Sequence, residues 1–160
     1  MEEVYPRQPE TDIAEVYLQE IGPGRVVYFP WDIDRTFWEI LAVEHGKLLA
    51  NAVRWATNEP PLVEVFGPGL IEVTIWRQKN SVTIHLVNLT NPMAMKGPCR
   101  EVIPIGPLKV RVRLPGSAKL RKAHLLVQGE PVQVRRNEDV WELAVPSVGI
   151  HEVVALDLAS

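Results

Sequence analysis

Asp32 and Asp34 stand two residues apart just beyond an apolar run that ends at Pro30, and Arg35, Glu39 and His45 follow them. Two carboxylates at that spacing beyond a strand could hold a metal ion or a sugar hydroxyl. The simpler alternative is that they accept turn amides or pair with Arg25 or Arg35 as a structural latch. The structural reading is preferred, because the chain offers no nucleophile, base and orienting group that belong together. Asp32, Asp34, Arg35 and Trp38 are therefore candidates for an interface or a ligand contact, and no residue is assigned to catalysis. His45 falls at a core-facing helical position, where a hydrogen-bonded packing role outweighs metal ligation. No metal or other cofactor is expected. Trp31, Trp76 and Trp141 could stack an indole on a sugar ring, although core or seam packing is the favoured reading for Trp76 and Trp141. Asn88-Leu89-Thr90 matches a glycosylation sequon.

The elements that must position the first group occupy the opening third. Val16 and Leu18 suggest a strand over 13–21, Gly22-Pro23-Gly24 a tight turn, and 25–29 a second strand rich in valine and aromatic residues. Thr36 and Glu39 fit a capping box, with the hydroxyl on a first-turn amide and the carboxylate reaching back. Trp38, Leu41, Ala42, His45, Leu48, Leu49, Ala52, Val53 and Ala56 then recur at helical spacing. Gly46 inside that pattern marks either a break or a close helix–strand contact. This strand–helix portion reads as the remnant of an α/β domain whose earlier strands are missing, and hence as a C-terminal piece of a larger protein.

Asn58 to Pro61 is the best boundary, dividing a 1–59 portion from a 62–160 domain. Beyond it, strands are expected over 62–66, 70–77, 81–89, 108–114, 123–127, 132–135, 140–145 and 152–158, with turn residues between them. Ile71, Val73 and Ile75 share a face with the apolar set Val82, Ile84 and Leu86 across a hairpin, and Trp76 lies on the opposite face. The segment 90–107 is too long and proline-rich for a hairpin loop and should cross an end of the domain, with Met93 and Met95 plugging a crevice. About eight short alternating strands without helices predict a β-sandwich of immunoglobulin-like architecture, lacking the hallmark cysteine pair. The fold class is mainly β with a small α/β portion.

Composition sets outer bounds. The chain has 160 residues, 46% hydrophobic and 23% charged, as in an ordinary globular protein. A net charge of −3 gives no electrostatic case for nucleic acid, and the basic cluster at Lys119 to Lys122 reads as a solvated strand edge. The single cysteine, Cys99, excludes an internal disulfide. No run approaches the ~18 apolar residues of a membrane span, so no membrane partner is expected. Residues 1–6 have neither the basic region nor the apolar core of a signal peptide, and localisation is unassigned.

Residues 24–39 and the run Leu48-Leu49-Ala50-Asn51-Ala52-Val53-Arg54-Trp55-Ala56 resemble the end of the glutamine-amidotransferase-like domain of β-galactosidase-like enzymes and hypothetical glycosyl hydrolases. Residues 81–92 and 145–156 are similar to their C-terminal β-domain. The resemblance implies an upstream TIM barrel, which carries paired catalytic acids, and a trimerisation role for the middle domain. None of the acidic residues here matches a barrel position, and Cys99 lies outside the amidotransferase-like part. The expectation is a non-catalytic accessory and oligomerisation region of a glycoside hydrolase, with the missing barrel and a homo-oligomer as partners. A carbohydrate-binding module is the alternative, and an independent hydrolase the third.

Overall fold

The computed structural model describes residues 12–40, 42–90, 101–114 and 118–159. Cys99, Met93 and Met95 lie outside the described residues. The fold is mainly β with two helices, and the chain divides into two compact units between Pro60 and Pro61.

The first unit begins with a hairpin of β1 (Tyr17–Ile21) and β2 (Gly24–Tyr28), in register from Tyr17 opposite Tyr28 to Ile21 opposite Gly24. Gly22 takes φ 58 at the first loop position, where a tight primed turn requires glycine, and Pro23 follows with its φ already fixed. Helix α1 (Ile33–Ile40) starts earlier than the Thr36 capping box predicts. The Thr36 amide and hydroxyl both donate to the Asp32 carbonyl, at 2.9 and 2.8 Å, so Thr36 is already inside the first turn. Glu39 does not reach back; its carboxylate accepts from Arg35 Nε at 2.9 Å, one helical turn away.

Helix α2 (Val43–Thr57) follows after extended backbone at Ala42 (φ −65, ψ 125), and Asn58 closes it in the left-handed region, its amide donating to the Arg54 carbonyl at 3.1 Å. The break in the helical pattern is thus at Ala42. Gly46 is a close helix–helix contact instead, since a Cβ there would sit 3.0 Å from the Phe37 ring. Arg25 fastens the hairpin to α2. Its Nη1 donates to the Asn58 side chain at 2.8 Å and the Trp55 carbonyl at 3.3 Å, and its guanidinium lies 5.3 Å from the Trp55 ring centroid.

The second unit is a sandwich of two four-stranded antiparallel sheets, ordered β4-β5-β10-β7 and β3-β6-β9-β8. Its strands are β3 (Val63–Phe66), β4 (Ile71–Arg77), β5 (Ser81–Asn88), β6 (Leu108–Arg113), β7 (Leu120–Leu125), β8 (Val134–Asn137), β9 (Val140–Val145) and β10 (His151–Leu158). Alternation sends Ile84 and Leu86 of β5, Val154 and Leu156 of β10, Val110 and Val112 of β6 and Val145 of β9 into one buried core. On the outer strand β4, Val73 and Ile75 face inward yet stay partly exposed, so the predicted apolar face of this hairpin is fully covered only on β5. The charged run at Lys119 to Lys122 enters β7, an edge strand, where like charges discourage pairing with another chain.

Two strands shift from their predicted positions. The Leu126 amide still donates to the Val153 carbonyl of β10 at 2.9 Å, and the chain then turns at Gly129 (φ 73), whose amide donates to the Leu125 carbonyl at 3.0 Å. The amides of Val127 and Gln128 turn instead to the carboxylate of Glu152, at 2.9 and 3.2 Å. β7 therefore ends at Leu125, before the expected Val127, whereas β8 starts at Val134, after the expected Val132, because the Val132 amide still donates to the Ala123 carbonyl of β7, at 3.1 Å.

Candidate functional site

Helix α1 sets the geometry of the acidic cluster. Asp32 precedes its first residue and Asp34 lies in its first turn, where carboxylates favour the positive end of the helix dipole. Both are exposed, and neither pairs with an arginine among the described residues. Arg25 pairs with Glu20 at 3.1 Å and Arg35 with Glu39 at 2.9 Å, so the expected aspartate–arginine latch does not form. Ile33 turns inward and is buried, whereas Trp38 is 63% exposed. Asp34, Arg35 and Trp38 thus share the open side of α1. Trp38 and Val53, counted with the apolar stripe in the sequence pattern, point away from the half-buried face formed by Ala42, His45, Leu49, Ala52 and Ala56.

The more extensive feature is one that alternation in the hairpin dictates. Leu18, Glu20, Arg25 and Val27 occupy one face, with Arg25 and Val27 half-buried on the side that Arg25 fastens to α2. Tyr17, Gln19, Ile21, Val26 and Tyr28 fall on the other. That second face is apolar apart from Gln19 and is uncovered: Tyr17 is 47%, Ile21 58%, Val26 44% and Tyr28 59% exposed. The Tyr17 and Tyr28 rings pair at 6.2 Å across it. Both hairpin edges also lack a neighbouring strand among the described residues.

The three tryptophans singled out for sugar stacking differ in what their rings meet. Trp31 is half-buried, its Nε1 donates to the Glu15 carbonyl at 3.0 Å, and its ring stands edge-on to Phe29 and to His45, the latter at 5.7 Å. His45 is a packing residue as expected, but its buried Nδ1 has no hydrogen-bond partner among the described residues. Trp141 packs against the sandwich core and carries the Arg136 guanidinium 5.2 Å from its ring centroid. Trp76, 61% exposed on the outer face of β4, keeps an open ring.

Two polar arrangements escaped the sequence reading. His85 and His151, on adjacent strands, stack with ring centroids 5.3 Å apart and a Nδ1 to Nε2 distance of 3.2 Å, so one imidazole donates to the other. Glu152 is 1% exposed, and besides Val127 and Gln128 it takes the Val153 amide at 2.8 Å. Alternation was the available signal for Glu152, which shares the inward set with Val154 and Leu156. The sequon asparagine is also engaged, since Asn88 Nδ2 donates to the carbonyls of Ile103 and Gly149, both at 2.8 Å. Among the described residues no group of three or more histidine, cysteine, aspartate or glutamate side chains is placed to hold a metal ion. No described helix is long and apolar enough to cross a membrane.

Among solved structures the chain is similar to an alpha-L-fucosidase, isoenzyme 2 from Paenibacillus thiaminolyticus. The superposition has a TM-score of 0.71 at 16% identity and covers 89% of this chain. At that identity the likeness is one of fold. The chain spans 22% of the length of that enzyme. No protein-family model and no curated protein sequence matches the chain.

Proposed function

We propose that this chain is a non-catalytic accessory and oligomerisation region of a glycoside hydrolase. The observation that carries the reading is the uncovered apolar face of the β1–β2 hairpin. A two-stranded sheet with one face under a helix is stable chiefly when something covers the other face. The fold shared with part of a fucosidase supports the hydrolase context. Catalysis then belongs to a barrel elsewhere in the enzyme, and a second copy of this chain covers the hairpin. The resemblance of residues 24–39 and 48–56 to the amidotransferase-like middle domain of β-galactosidase-like enzymes points the same way.

The test is sedimentation velocity on the whole chain over a range of concentrations, beside a Tyr17→Ser/Tyr28→Ser variant and an aryl-glycoside panel. Concentration-dependent association in the parent chain, its loss in the variant, and no turnover by either are expected. A monomer at every concentration would remove the oligomerisation role, and turnover by this chain would remove the accessory role.

A carbohydrate-binding module is the second reading, favoured by the open ring of Trp76. The register aligns Trp76 with Thr83 on β5, Ala155 on β10 and His124 on β7, a row across the outer face of one sheet. On that reading a neutral polysaccharide gel retards the chain and Trp76→Ala abolishes the retardation. Equal migration of the two forms would dismiss it.

A further inference from the structure

The outer face of the other sheet carries a groove of about 610 Å³, within the usual range for small-ligand sites. Register explains its shape. Phe66, Lys109 and Ala144 are cross-strand neighbours on β3, β6 and β9, and two residues along, on the same face, stand Glu142 and Arg135. Gln133, just before β8, completes the lining. The short side chain of Ala144 leaves the depression, Phe66 forms one wall with its ring 46% exposed, and Gln133 and Arg135 stand at the β8 side.

The charges on this face do not balance. Glu142 is shared by Lys109 Nζ and Arg111 Nε, each at 3.0 Å, the latter an ion contact without hydrogen-bond alignment. Glu64 takes Arg113 at 2.9 Å and lies 3.9 Å from Arg111. Both carboxylates are therefore spent on three cations, and Arg135 is left with no carboxylate partner among the described residues. This local surplus of positive charge sits on a chain whose net charge is −3, so it is not a reflection of composition.

We propose that this groove binds an anionic sugar residue, a hexuronate unit of a glycan. The free guanidinium of Arg135 takes the carboxylate as a two-pronged, charge-assisted partner. The Phe66 ring covers the apolar C–H face of the pyranose. Gln133, which both donates and accepts, and the acceptor Glu142 serve the ring hydroxyls. A bare anion would use Arg135 and Lys109 but would leave Phe66 and Glu142 idle, which is why a sugar fits better than phosphate. The site lies on the sheet opposite to Trp76 and is independent of both the hairpin face and the neutral-glycan reading.

Calorimetric titration of the whole chain with an oligogalacturonate tests this, beside its fully methyl-esterified form, which keeps the rings and loses the charge. Binding to the acid and none to the ester is expected, with Arg135→Gln and Phe66→Ala each weakening affinity by about tenfold. Both side chains are exposed, so circular dichroism should confirm an unchanged fold. Trp76→Ala should bind as the parent does. Absence of binding, equal binding of acid and ester, or insensitivity to Arg135→Gln would overturn the site. Loss with Arg135→Gln but not with Phe66→Ala would reduce it to a charge contact and overturn the sugar assignment.

Discussion

Glu152 shows how one side chain can set the limit of a strand. A carboxylate taken out of water is costly unless its oxygens are supplied with donors. Here three backbone amides supply them, two from the turn after β7 and one from Val153 next in sequence. The carboxylate is thus the acceptor that lets the chain leave the β7 ladder without orphaned N–H groups. Replacing it by alanine strips those amides of their partner. Glu152→Ala should lower the unfolding free energy by about 2–4 kcal/mol, and Glu152→Gln, which keeps one carbonyl acceptor, by roughly half as much. Urea unfolding followed by tryptophan fluorescence measures both, and an unchanged midpoint for the alanine variant would contradict this role.

At the level of elements, legibility followed the strength of the local pattern. Val140 to Val145, set between the Asn137-Glu138-Asp139 turn and Pro146, matches its strand at both ends. In the hairpin the first strand begins at Tyr17, four residues after the expected Ile13, but the turn was readable, because Gly22-Pro23 permits little other than a tight turn. The start of α1 was not, since Asp32 and Thr36 lie four residues apart and both have side chains suited to helix starts; the backbone chose the earlier one. Likewise a helical repeat identifies a stripe but not its edges. Trp38 and Val53 border the stripe of apolar residues, and only the position of β2 and α1 decides that they face outward. Gly46 was visible as an anomaly whose cause, the Phe37 ring, needs the second helix to be in place. The groove beside Phe66 was illegible for a similar reason. Its lining comes from four strands whose register no single stretch of sequence reveals, and Arg135 counts as spare only once its neighbours' pairings are known.

Across the whole molecule, apolar burial is unevenly divided. The second unit buries valine, leucine and isoleucine from both sheets in one core, whereas Ile33 is the one fully buried hydrophobic residue described in the first unit. A unit of about 60 residues has little margin to begin with, and leaving Tyr17, Ile21, Val26 and Tyr28 in water forgoes much of what burial would contribute. Local opening should therefore cost far less free energy in residues 17–57 than in β5 or β10. Hydrogen exchange on dilute protein should show amides of β5 and β10 protected at least ~100-fold more than those of the hairpin and α2, a gap of about 3 kcal/mol. Raising the concentration should narrow that gap at the hairpin and leave β5 and β10 unchanged, because association stabilises only the state that presents the covered face. Equal protection of both units in dilute solution would mean that the first unit holds itself together and that its exposed tyrosine face is not waiting for a partner.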